Sequence, residues 1–372
     1  MIMYISRRFE KNICATLHYE ALKELYGANS IVTIDLTPGS NRKGKNVVVF
    51  PKYNKLEKFK RYMQLNTYQL NSSIIRTISD MVGEYKIQKI FFDESYFGKL
   101  VRRIKKDHPH VKLTVFYHDI ERILYWDWVK KRGLSFVPDF LTVSYNEFLT
   151  AKHADQNLVL NERDARLYEK VYRKRPDGLL PMAVASPDFS ASEMVEMVGV
   201  EKKYKHLILL VGAYYYPNLN GLRWFADHVM KQLSDDYLLV VVGRGMEKVR
   251  EEYTNFSNIY IVGGVESLAA YYNNADIVVA PIFEGGGMKQ KTAEAFGYGR
   301  CFVGTTESLE GYEEELSYPF VFRSDSAEGM LAAFKEIEKN QLYGYHAELN
   351  AVFRKKYSKE AMVQRLQHYM GE

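Results

Sequence analysis

The sequence predicts an α/β protein with two doubly wound domains, each a parallel sheet covered by helices. Short apolar, β-branched segments alternate with helical segments along most of the 372 residues. Such alternation is typical of parallel sheets with helices on both faces. The pattern stops near residues 185–200 and begins again near residue 206. A chain of this length and pattern is expected to form two domains of ordinary size.

The first half of the chain contains the elements of one domain. Strands are predicted at residues 2–6, 30–36, 45–50, 89–93, 112–118 and 157–160. Helices are predicted at residues 18–26, 56–85, 97–106, 138–153 and 162–172. The segment 56–85 is expected to be one long amphipathic helix, because Tyr, Leu and Ile recur in it at helical spacing.

The second half repeats the alternation and gives the second domain. Strands are predicted at residues 206–211, 237–242, 258–262, 276–280, 301–304 and 320–322. Helices are predicted at residues 220–233, 247–253 and 267–273, from about residue 288, and again near the C-terminus. We expect Rossmann-like domains at 1–185 and 186–354, with a helix of about 355–372 returning to the first. The ligand is expected between them, at the carboxyl ends of the strands.

Composition excludes several classes of protein. The two cysteines, Cys14 and Cys301, argue against a disulfide framework and fit a reducing cytoplasm. Apolar residues are 47% and charged residues 26% of the chain, as in a globular protein with a proper core. No apolar run is long enough for a spanning helix, and the first residues are expected to be a strand rather than a signal peptide.

Positive charge is concentrated in the first half. Residues 1–185 contain 32 Lys and Arg against 20 Asp and Glu, whereas the remainder contains 19 against 26. This asymmetry predicts an anionic partner for the first half, and nucleic acid, a membrane surface and a phosphorylated lipid all qualify. The basic runs 52–62 and 99–106 are candidates for the contact, and they are equally typical of solvated helix faces.

The most informative stretch runs from residue 276 to residue 300. An apolar strand is followed by Pro281, by Glu284 with three glycines at 285–287, and by a helix that begins near Met288. A glycine loop before a helix directs unpaired N–H groups and the positive end of the helix dipole at an anion. Lysines and a carboxylate on that helix add charge for a diphosphate and an acceptor for hydroxyls. The pattern favours a sugar nucleotide, while a Gly-rich turn before a solvated helix is the alternative.

Four segments in order give the chain a family resemblance. Three of them are LLVGAYYYPNLNGLRWF (209–225), VVVGRG (240–245) and IVGGVESLAAYYNNADIVVAPIFEGGGMKQKTAEAF (261–296), and the fourth is HADQNLVLNERDARLYEKVY (153–172). Together they resemble the GT-B glycosyltransferases, in particular the large family 4 ("group 1"). The resemblance covers about residues 206–312 and implies a GT-B fold with the nucleotide-sugar donor bound by the second domain and the acceptor by the first.

Carried over position by position, the resemblance implies most of a donor site. Glu294 matches the glutamate that binds the donor ribose, and Lys289 and Lys291 match basic positions beside the diphosphate. The other matches line the base or face the sugar and phosphate: Gly263, Gly264, Val265, Gly286 and Gly287.

The sequence also departs from the family pattern at three places. Nine residues separate Glu284 from Glu294, where many relatives have seven, so a contact of Glu284 with the donor sugar is less firmly implied. The Arg and Lys that many relatives carry after the first donor-domain strand are replaced by residues 214–218, YYYPN. Lys289 and Lys291 are therefore expected to meet the phosphate charge. The loop 7–16 lacks the paired glycines often found at the acceptor side.

The expected chemistry is stabilisation of the departing diphosphate. A helix N-terminus with two lysines supplies it without a metal, and no Asp-x-Asp motif is present to hold one. The resemblance implies retention of configuration and a cytoplasmic enzyme without a cofactor besides the nucleotide sugar. His118 is the candidate that faces the sugar, or else a buried structural histidine. Arg244 and Asn218 are candidates for donor contacts, or else residues that cap turns.

The sequence thus predicts a retaining, metal-independent hexosyltransferase for surface polysaccharide or glycoconjugate synthesis. Its acceptor is expected to be a glycan or a lipid-linked glycan, with peripheral contact to an anionic membrane through the basic half. A catalytically silent GT-B subunit that binds a partner is the main alternative. Nucleic-acid binding is disfavoured because recognition motifs are lacking and the second domain is acidic. A dinucleotide oxidoreductase is disfavoured because no G-x-G-x-x-G follows the first strand.

Overall fold

The computed structural model describes residues 1–9, 13–44, 46–50, 60–68, 70–194 and 203–371. The chain divides into two compact units. The first consists of Met1–Met182 with Met362–Glu372, and the second of Ala183–Ala361. These bounds lie three residues before the predicted boundary at 185/186, and the return to the first unit occurs seven residues later than predicted.

The first unit is built on a sheet of seven strands, all parallel, in the order β3-β2-β1-β4-β5-β6-β7. The strands are β1 Ile2–Ser6, β2 Ile31–Asp35, β3 Val47–Val49, β4 Lys89–Phe92, β5 Lys112–Tyr117, β6 Gln156–Val159 and β7 Gly178–Leu179. The central strands β1, β2 and β4 are apolar and almost entirely buried, as expected for a sheet covered on both faces. The short edge strand β7 was not predicted, because two residues give no periodic signal.

Helices cover this sheet. They are α1 Ile13–Tyr26, α2 Ser72–Glu84, α3 Gly98–Asp107, α4 Glu121–Arg132, α5 Val137–His153 and α6 Glu162–Tyr172. The sequence analysis did not predict α4. Its buried residues Glu121, Tyr125 and Val129 recur every four positions, but one of them is charged and aromatic side chains lie on several sides. The helix therefore lacks a clean apolar stripe.

The prediction of one helix over residues 56–85 is wrong. Residues 60–63 are helical, a turn follows, and α2 begins only at Ser72. Leu65 and Tyr68 have φ angles of 46° and 45°, in the left-handed region that a continuous helix cannot contain. Asn71 then caps α2, because its side chain accepts a hydrogen bond from the N–H of Ile74 at 2.9 Å. The predicted residues 56–59 lie outside the described part of the chain.

The second unit contains a sheet of six strands, also all parallel, in the order β10-β9-β8-β11-β12-β13. The strands are β8 His206–Val211, β9 Tyr237–Val242, β10 Ile259–Gly263, β11 Ile277–Ala280, β12 Cys301–Gly304 and β13 Val321–Arg323. The associated helices are α7 Tyr216–His228, α8 Ala269–Asn274, α9 Gln290–Gly297, α10 Ala327–Asn340 and α11 Ala347–Lys356. The predicted strands match these within one or two residues.

Helix starts in this unit differ more from their predicted positions. Helix α7 begins at Tyr216, four residues before the predicted start, because Pro217 occupies the first turn, where its missing N–H costs nothing. Met246–Tyr253 is a 3-10 helix. Helix α9 begins two residues later than predicted, since Lys289 is still extended.

The last helix, α12 Lys359–Met370, belongs for most of its length to the first unit. The hydroxyl of Tyr26 donates to the Met370 carbonyl at 2.8 Å, and that of Tyr369 donates to the Leu179 carbonyl at 3.3 Å. The C-terminal segment is therefore held to α1 and β7 by these polar contacts, in addition to its buried apolar side chains Met362, Leu366 and Met370.

Both sheets reverse their strand order beside their first strand. In the first unit the reversal lies between β1 and β4, and in the second between β8 and β11. Ligands of open parallel sheets bind at the carboxyl ends of the strands near such a reversal. These two edges are therefore where a site is expected in each unit.

Candidate active site

The loop at residues 284–289, called here the glycine loop, connects β11 to α9 and presents unpaired backbone donors. The N–H groups of the seven residues from 285 to 291 donate no hydrogen bond to any described residue. Gly287 has a φ of 66°, which turns the chain in a way that favours glycine. The loop and the first turn of α9 thus offer amides and a helix dipole to an anion.

Lys291 is the half-buried cation of this site. Its Nζ lies 2.8 Å from Oδ1 of Asn218, which follows Pro217 in the first turn of α7. Burial lowers the pKa of Lys291 to about 8, and Lys289 also lowers it, while Glu294 opposes the shift. A half-buried ammonium whose hydrogen-bond partner is neutral is not charge-balanced, and a phosphate would balance its charge.

Lys289 approaches the glycine loop from the other side. Its Nζ donates to the Gly287 carbonyl at 2.7 Å and forms an ion pair with Glu307 at 2.7 Å. The side chain is 13% exposed. Lys289 therefore holds the loop in shape and carries a charge that is already balanced, unlike that of Lys291.

The carboxylate of Glu294 is held by two donors. Tyr272 on α8 donates its hydroxyl to Oε2 at 2.9 Å, and Gln290, one turn earlier on α9, donates Nε2 to Oε1 at 2.7 Å. The ring of Tyr272 is in turn stacked on Tyr298, with centroids 4.9 Å apart. These two donors orient the Glu294 carboxylate. Each of its oxygens retains a lone pair that can still accept a hydrogen bond from a ligand hydroxyl group.

Three strand ends approach one another through glycines. A Cβ on Gly243 would lie 2.0 Å from the Gly212 carbonyl oxygen, and the N–H of Gly243 donates to the Gly263 carbonyl at 2.7 Å. Gly263 has a φ of 99° and would meet the carboxylate of Glu247 if it had a Cβ. These glycines let the loops after β8, β9 and β10 pack closely. Gly264 follows directly and is exposed.

The remaining predicted donor residues lie on the surface of the unit or at its rim. Arg244 is exposed, and its side chain makes no hydrogen bond or ion pair with a described residue. Val265 is partly exposed, and so is the loop around Gly286. Glu284 is exposed and accepts a hydrogen bond of 3.3 Å from Asn220. Asn218, by contrast, is fixed, because its Nδ2 donates to the Ala213 carbonyl at 2.8 Å.

His118 lies in the first unit, directly after β5, and its side chain is 7% exposed. Its Nε2 is 3.1 Å from Oδ1 of Asp93, and Nδ1 of His18 is 2.9 Å from the same oxygen. Because a carboxylate only accepts, both imidazoles donate to Asp93. Tyr4 donates its hydroxyl to Oδ2 at 2.5 Å. These four side chains form what is called here the Asp93 cluster.

Burial by itself raises the pKa of the Asp93 carboxyl. The charge of His18 and the hydrogen bonds from both histidines together lower the pKa by more than burial raises it. The pKa therefore lies below its ordinary range, and Asp93 is a buried anion. With Nε2 of His118 committed to Asp93, Nδ1 is the nitrogen left to act as an acceptor.

A second buried carboxylate, Glu94, closes the turn after β1. The N–H groups of Arg7 and Arg8 donate to it at 3.1 Å. Burial raises the pKa of Glu94 well above its ordinary value, and neighbouring Asp93 raises it further. The Arg8 guanidinium extends to Glu121 at 3.2 Å. The start of the loop 7–16, which lacks the paired glycines of the family, is thus held by the carboxyl groups of Glu94 and Glu121.

Sequence analysis did not single out several residues of these sites. Tyr272, Gln290, Glu307, Asp93 and His18 were not assigned a role. Asp93 could have been found, because an acidic residue directly after a buried parallel strand lies at the edge where sites form. The other four have no local signal, because their partners are 18 to 75 residues away, or lie one turn along a helix whose start was misplaced.

Metal clusters and membrane-spanning helices are both absent from the part of the chain that the structure describes. Among the residues that the structure describes, no group of three or more His, Cys, Asp or Glu side chains could hold a metal ion. Over the same residues, every helix is too short or too polar to cross a membrane.

Comparison with known proteins finds a family match within the second unit. Residues 205–340 match the family model described as "Glycosyl transferases group 1". The search of curated proteins returned no match. Solved structures, however, match the fold over its whole length.

The Anabaena protein Alr3699/HepE in complex with UDP has a TM-score of 0.69 at 10% identity, with 100% of this chain and 99% of that chain covered. The lipopolysaccharide outer core galactosyltransferase WaaB has a TM-score of 0.68 at 10% identity over the same shares. A glycosyltransferase from Rickettsia africae has a TM-score of 0.65 at 12% identity, with 99% and 97% covered. The predicted GT-B fold and the predicted glycosyltransferase class are confirmed.

Proposed function

From the match of residues 205–340 to the group 1 glycosyltransferases, we propose that the protein transfers a hexose from a nucleoside diphosphate sugar to a glycan or lipid-linked glycan. We propose further that the transfer retains the configuration of the sugar and needs neither a metal nor a cofactor besides the donor. The protein would act in the cytoplasm in surface polysaccharide or glycoconjugate synthesis.

One observation carries this proposal: the unpaired donors of residues 285–291 lie on the same loop and helix as Lys291 and Glu294. The amides and the half-buried ammonium match a diphosphate, and the oriented carboxylate matches ribose hydroxyls. A nucleoside diphosphate contains both groups side by side.

The same residues supply the charge stabilisation that transfer requires. As the bond between sugar and diphosphate breaks, negative charge grows on the departing phosphate oxygens. Fixed amides and an ammonium in a partly dry site stabilise that charge without reorganisation, an effect of about 3–4 kcal/mol for one well-placed donor. His118, oriented by Asp93, is proposed to contact the transferred sugar through its free nitrogen.

The comparisons guide the choice of donor and acceptor. Structures of HepE contain UDP and UDP-glucose, so a uridine diphosphate hexose is the first donor to test. WaaB is a lipopolysaccharide outer core galactosyltransferase, which supports a surface glycan as acceptor. The excess of positive charge in residues 1–185 supports peripheral contact with an anionic membrane.

The test is thermal stabilisation by UDP, GDP, dTDP, CDP and NAD, measured on the wild type, on Glu294→Ala and on Glu328→Ala. Glu328 is an exposed glutamate of α10 without a partner in the described chain. A ligand raises the melting temperature only if the folded protein binds it. We expect one nucleoside diphosphate to stabilise the wild type and Glu328→Ala, and to lose its effect on Glu294→Ala.

Stabilisation by none of the nucleotides would instead support the alternative, a catalytically silent GT-B subunit. For the nucleotide that binds, release of the diphosphate from the corresponding sugar nucleotide is then measured in excess EDTA. Full activity is expected, and a requirement for added metal would contradict the proposed mechanism.

A further inference from the structure

A second concave, positively charged site lies in the first unit, between helices α2 and α3. The pocket has a volume of about 470 Å³, and the described residues that line it include no acidic side chain. Buried Ile75 lies at its base. Its rim carries five cations, Arg76, Lys99, Arg102, Arg103 and Lys106. This site is called here the basic pocket.

The sequence of α3 explains why the cations converge. Arg102 and Arg103 each lie three or four residues from both Lys99 and Lys106, so the four cations share one broad face of the helix. Leu100, Val101 and Ile104 occupy the opposite face and are completely buried. The apolar face anchors α3 to the sheet, so the basic face is held in a fixed direction toward Arg76 on α2.

Most of this charge is not neutralised within the described chain. Arg76, Arg102 and Lys106 make no hydrogen bond or ion pair with a described residue, whereas Arg103 forms an ion pair with Asp107. Lys99 contacts neutral groups, including Oδ1 of Asn66 at 3.0 Å. Burial lowers the pKa of Lys99, and the charge of Arg102 lowers it further. An anion in the pocket would relieve this repulsion.

Helix α2 adds hydrogen-bond donors to the same place. Ser72, its first residue, lines the basic pocket, and the N–H groups of Ser72 and Ser73 have no described acceptor. A smaller cavity of about 310 Å³ shares Ser72 and Asn66 and is bordered by Lys60 and Arg61. Amides at a helix N-terminus together with arginines are groups that bind phosphate.

We propose that the basic pocket binds a phosphate group, either a phosphomonoester or a diphosphate. Several unneutralised cations fit a dianion better than a single carboxylate, and the serine and amide donors fit phosphate oxygens. The proposal does not rest on glycosyl transfer, because every group in it belongs to α2, α3 or the segment before them. The phosphate can be that of a soluble ligand or of a lipid headgroup.

The experiment compares the wild type with two double variants. Arg102→Gln/Lys106→Gln removes two pocket charges, and both side chains are exposed and unpaired, so the fold is expected to persist. Lys131→Gln/Lys174→Gln removes two exposed charges elsewhere in the same unit. Binding of inorganic pyrophosphate is measured by calorimetry, and binding to phosphatidylcholine vesicles with and without phosphatidic acid by sedimentation. Each measurement is repeated at high salt. Any contribution of the donor site is common to all three proteins.

We expect the pocket variant to bind at least one of the two phosphate probes about tenfold more weakly than the wild type, since each lost cation weakens the attraction severalfold. The control should bind as the wild type does. Loss of pyrophosphate binding alone assigns a soluble phosphate ligand, and loss of vesicle binding alone assigns a lipid headgroup.

Two outcomes would overturn the proposal. If both double variants lose the same affinity, the attraction comes from the overall charge of the unit and not from the pocket. If the pocket variant binds both probes like the wild type, the pocket is not a phosphate site.

Discussion

The carboxyl edges of the two sheets are both polar, yet their polar groups are arranged in opposite ways. In the first unit, Asp93 and Glu94 are buried and surrounded by donors from the protein itself. In the second unit, the glycine loop has unpaired N–H groups, and the ammonium of Lys291 has only a neutral partner. At the first edge the carboxyl groups of Asp93 and Glu94 have donors from the protein itself, whereas the second edge still lacks an anion for its amides and its ammonium.

This difference follows from where each unit places its charge. A buried carboxylate without partners is costly, so a folded chain surrounds it with donors. Exposed amides and a lysine at the rim of a pocket cost less because water can reach them until a ligand arrives. The comparison therefore predicts that removing the shared acceptor of the Asp93 cluster reduces stability, whereas substitutions at the second edge reduce donor binding and activity.

The largest effect is expected from Asp93→Ala. It leaves Tyr4, His18 and His118 without their common acceptor, and removing one partner of a buried charged cluster costs about 3–5 kcal/mol. The free energy of unfolding is measured with urea. Asp80→Ala, at an exposed position of α2, is the control and should change it by less than about 0.5 kcal/mol.

The same variant has a pH signature. Because the pKa of Asp93 is lowered in the folded state, its contribution to stability is present above the ordinary pKa of about 4 and is lost as the pH falls further. The difference between the wild type and Asp93→Ala should therefore shrink below pH 4. A difference that is the same at pH 7 and pH 3 would contradict a buried Asp93 anion.

The next effect is expected from Lys291→Met, which keeps the length of the side chain and removes its charge. We expect kcat/KM for the donor to fall by about 100- to 1,000-fold, as for loss of one group that stabilises transition-state charge. The free energy of unfolding should be unchanged or slightly higher, because the substitution removes a half-buried charge from the folded state. Lys335→Met, an exposed position of α10, should behave as the wild type.

Donor affinity of the wild type should also fall as the pH rises through about 8, the pKa of Lys291 in the unliganded protein. Above that pH, binding of a diphosphate must first return a proton to the amine. Lys291→Met should show no such step, and an identical step in both proteins would assign it to another group.

A smaller effect is expected from Glu121→Gln. Burial raises the pKa of Glu121 to about 8, although the charge of Arg8 opposes the shift. Between pH 5 and pH 8 the folded state keeps a proton that the unfolded state has lost, so the wild type loses stability as the pH rises. Glutamine does not titrate. The variant should therefore gain roughly 2–4 kcal/mol relative to the wild type over this range. A gain that does not depend on pH would show that Glu121 is ionised in the folded protein.

The smallest effect separates two adjacent glycines. Gly287 has a φ of 66°, where alanine costs about 1–2 kcal/mol, whereas an added Cβ at Gly286 meets no atom within 4 Å. Gly287→Ala should bind the nucleoside diphosphate about five- to tenfold more weakly, and Gly286→Ala should bind it normally. Equal affinities would mean that the loop does not need its left-handed turn to bind.

The sequence by itself determined the alternation of strands and helices, since apolar β-branched runs and helical spacing are local properties. It also determined the glycine loop and the position of Lys291 and Glu294 on the helix that follows. These features depend on residues that are neighbours along the chain. The structure places the predicted strands within two residues of their expected ends, and the helix that carries Lys291 and Glu294 begins two residues later than predicted.

Only the tertiary structure decided which distant groups complete each site. Asn218 reaches Lys291, Tyr272 reaches Glu294, and Asp93 lies between two histidines. Such pairs arise because parallel strands and their helices bring separate segments to the same edge of a sheet. The turn at Gln64 and Leu65 is another example: the apolar spacing of this segment is helical, and the backbone nevertheless leaves the helix there. The local sequence pattern shows which side chains are apolar, whereas the places where the chain must turn to bury them depend on tertiary packing.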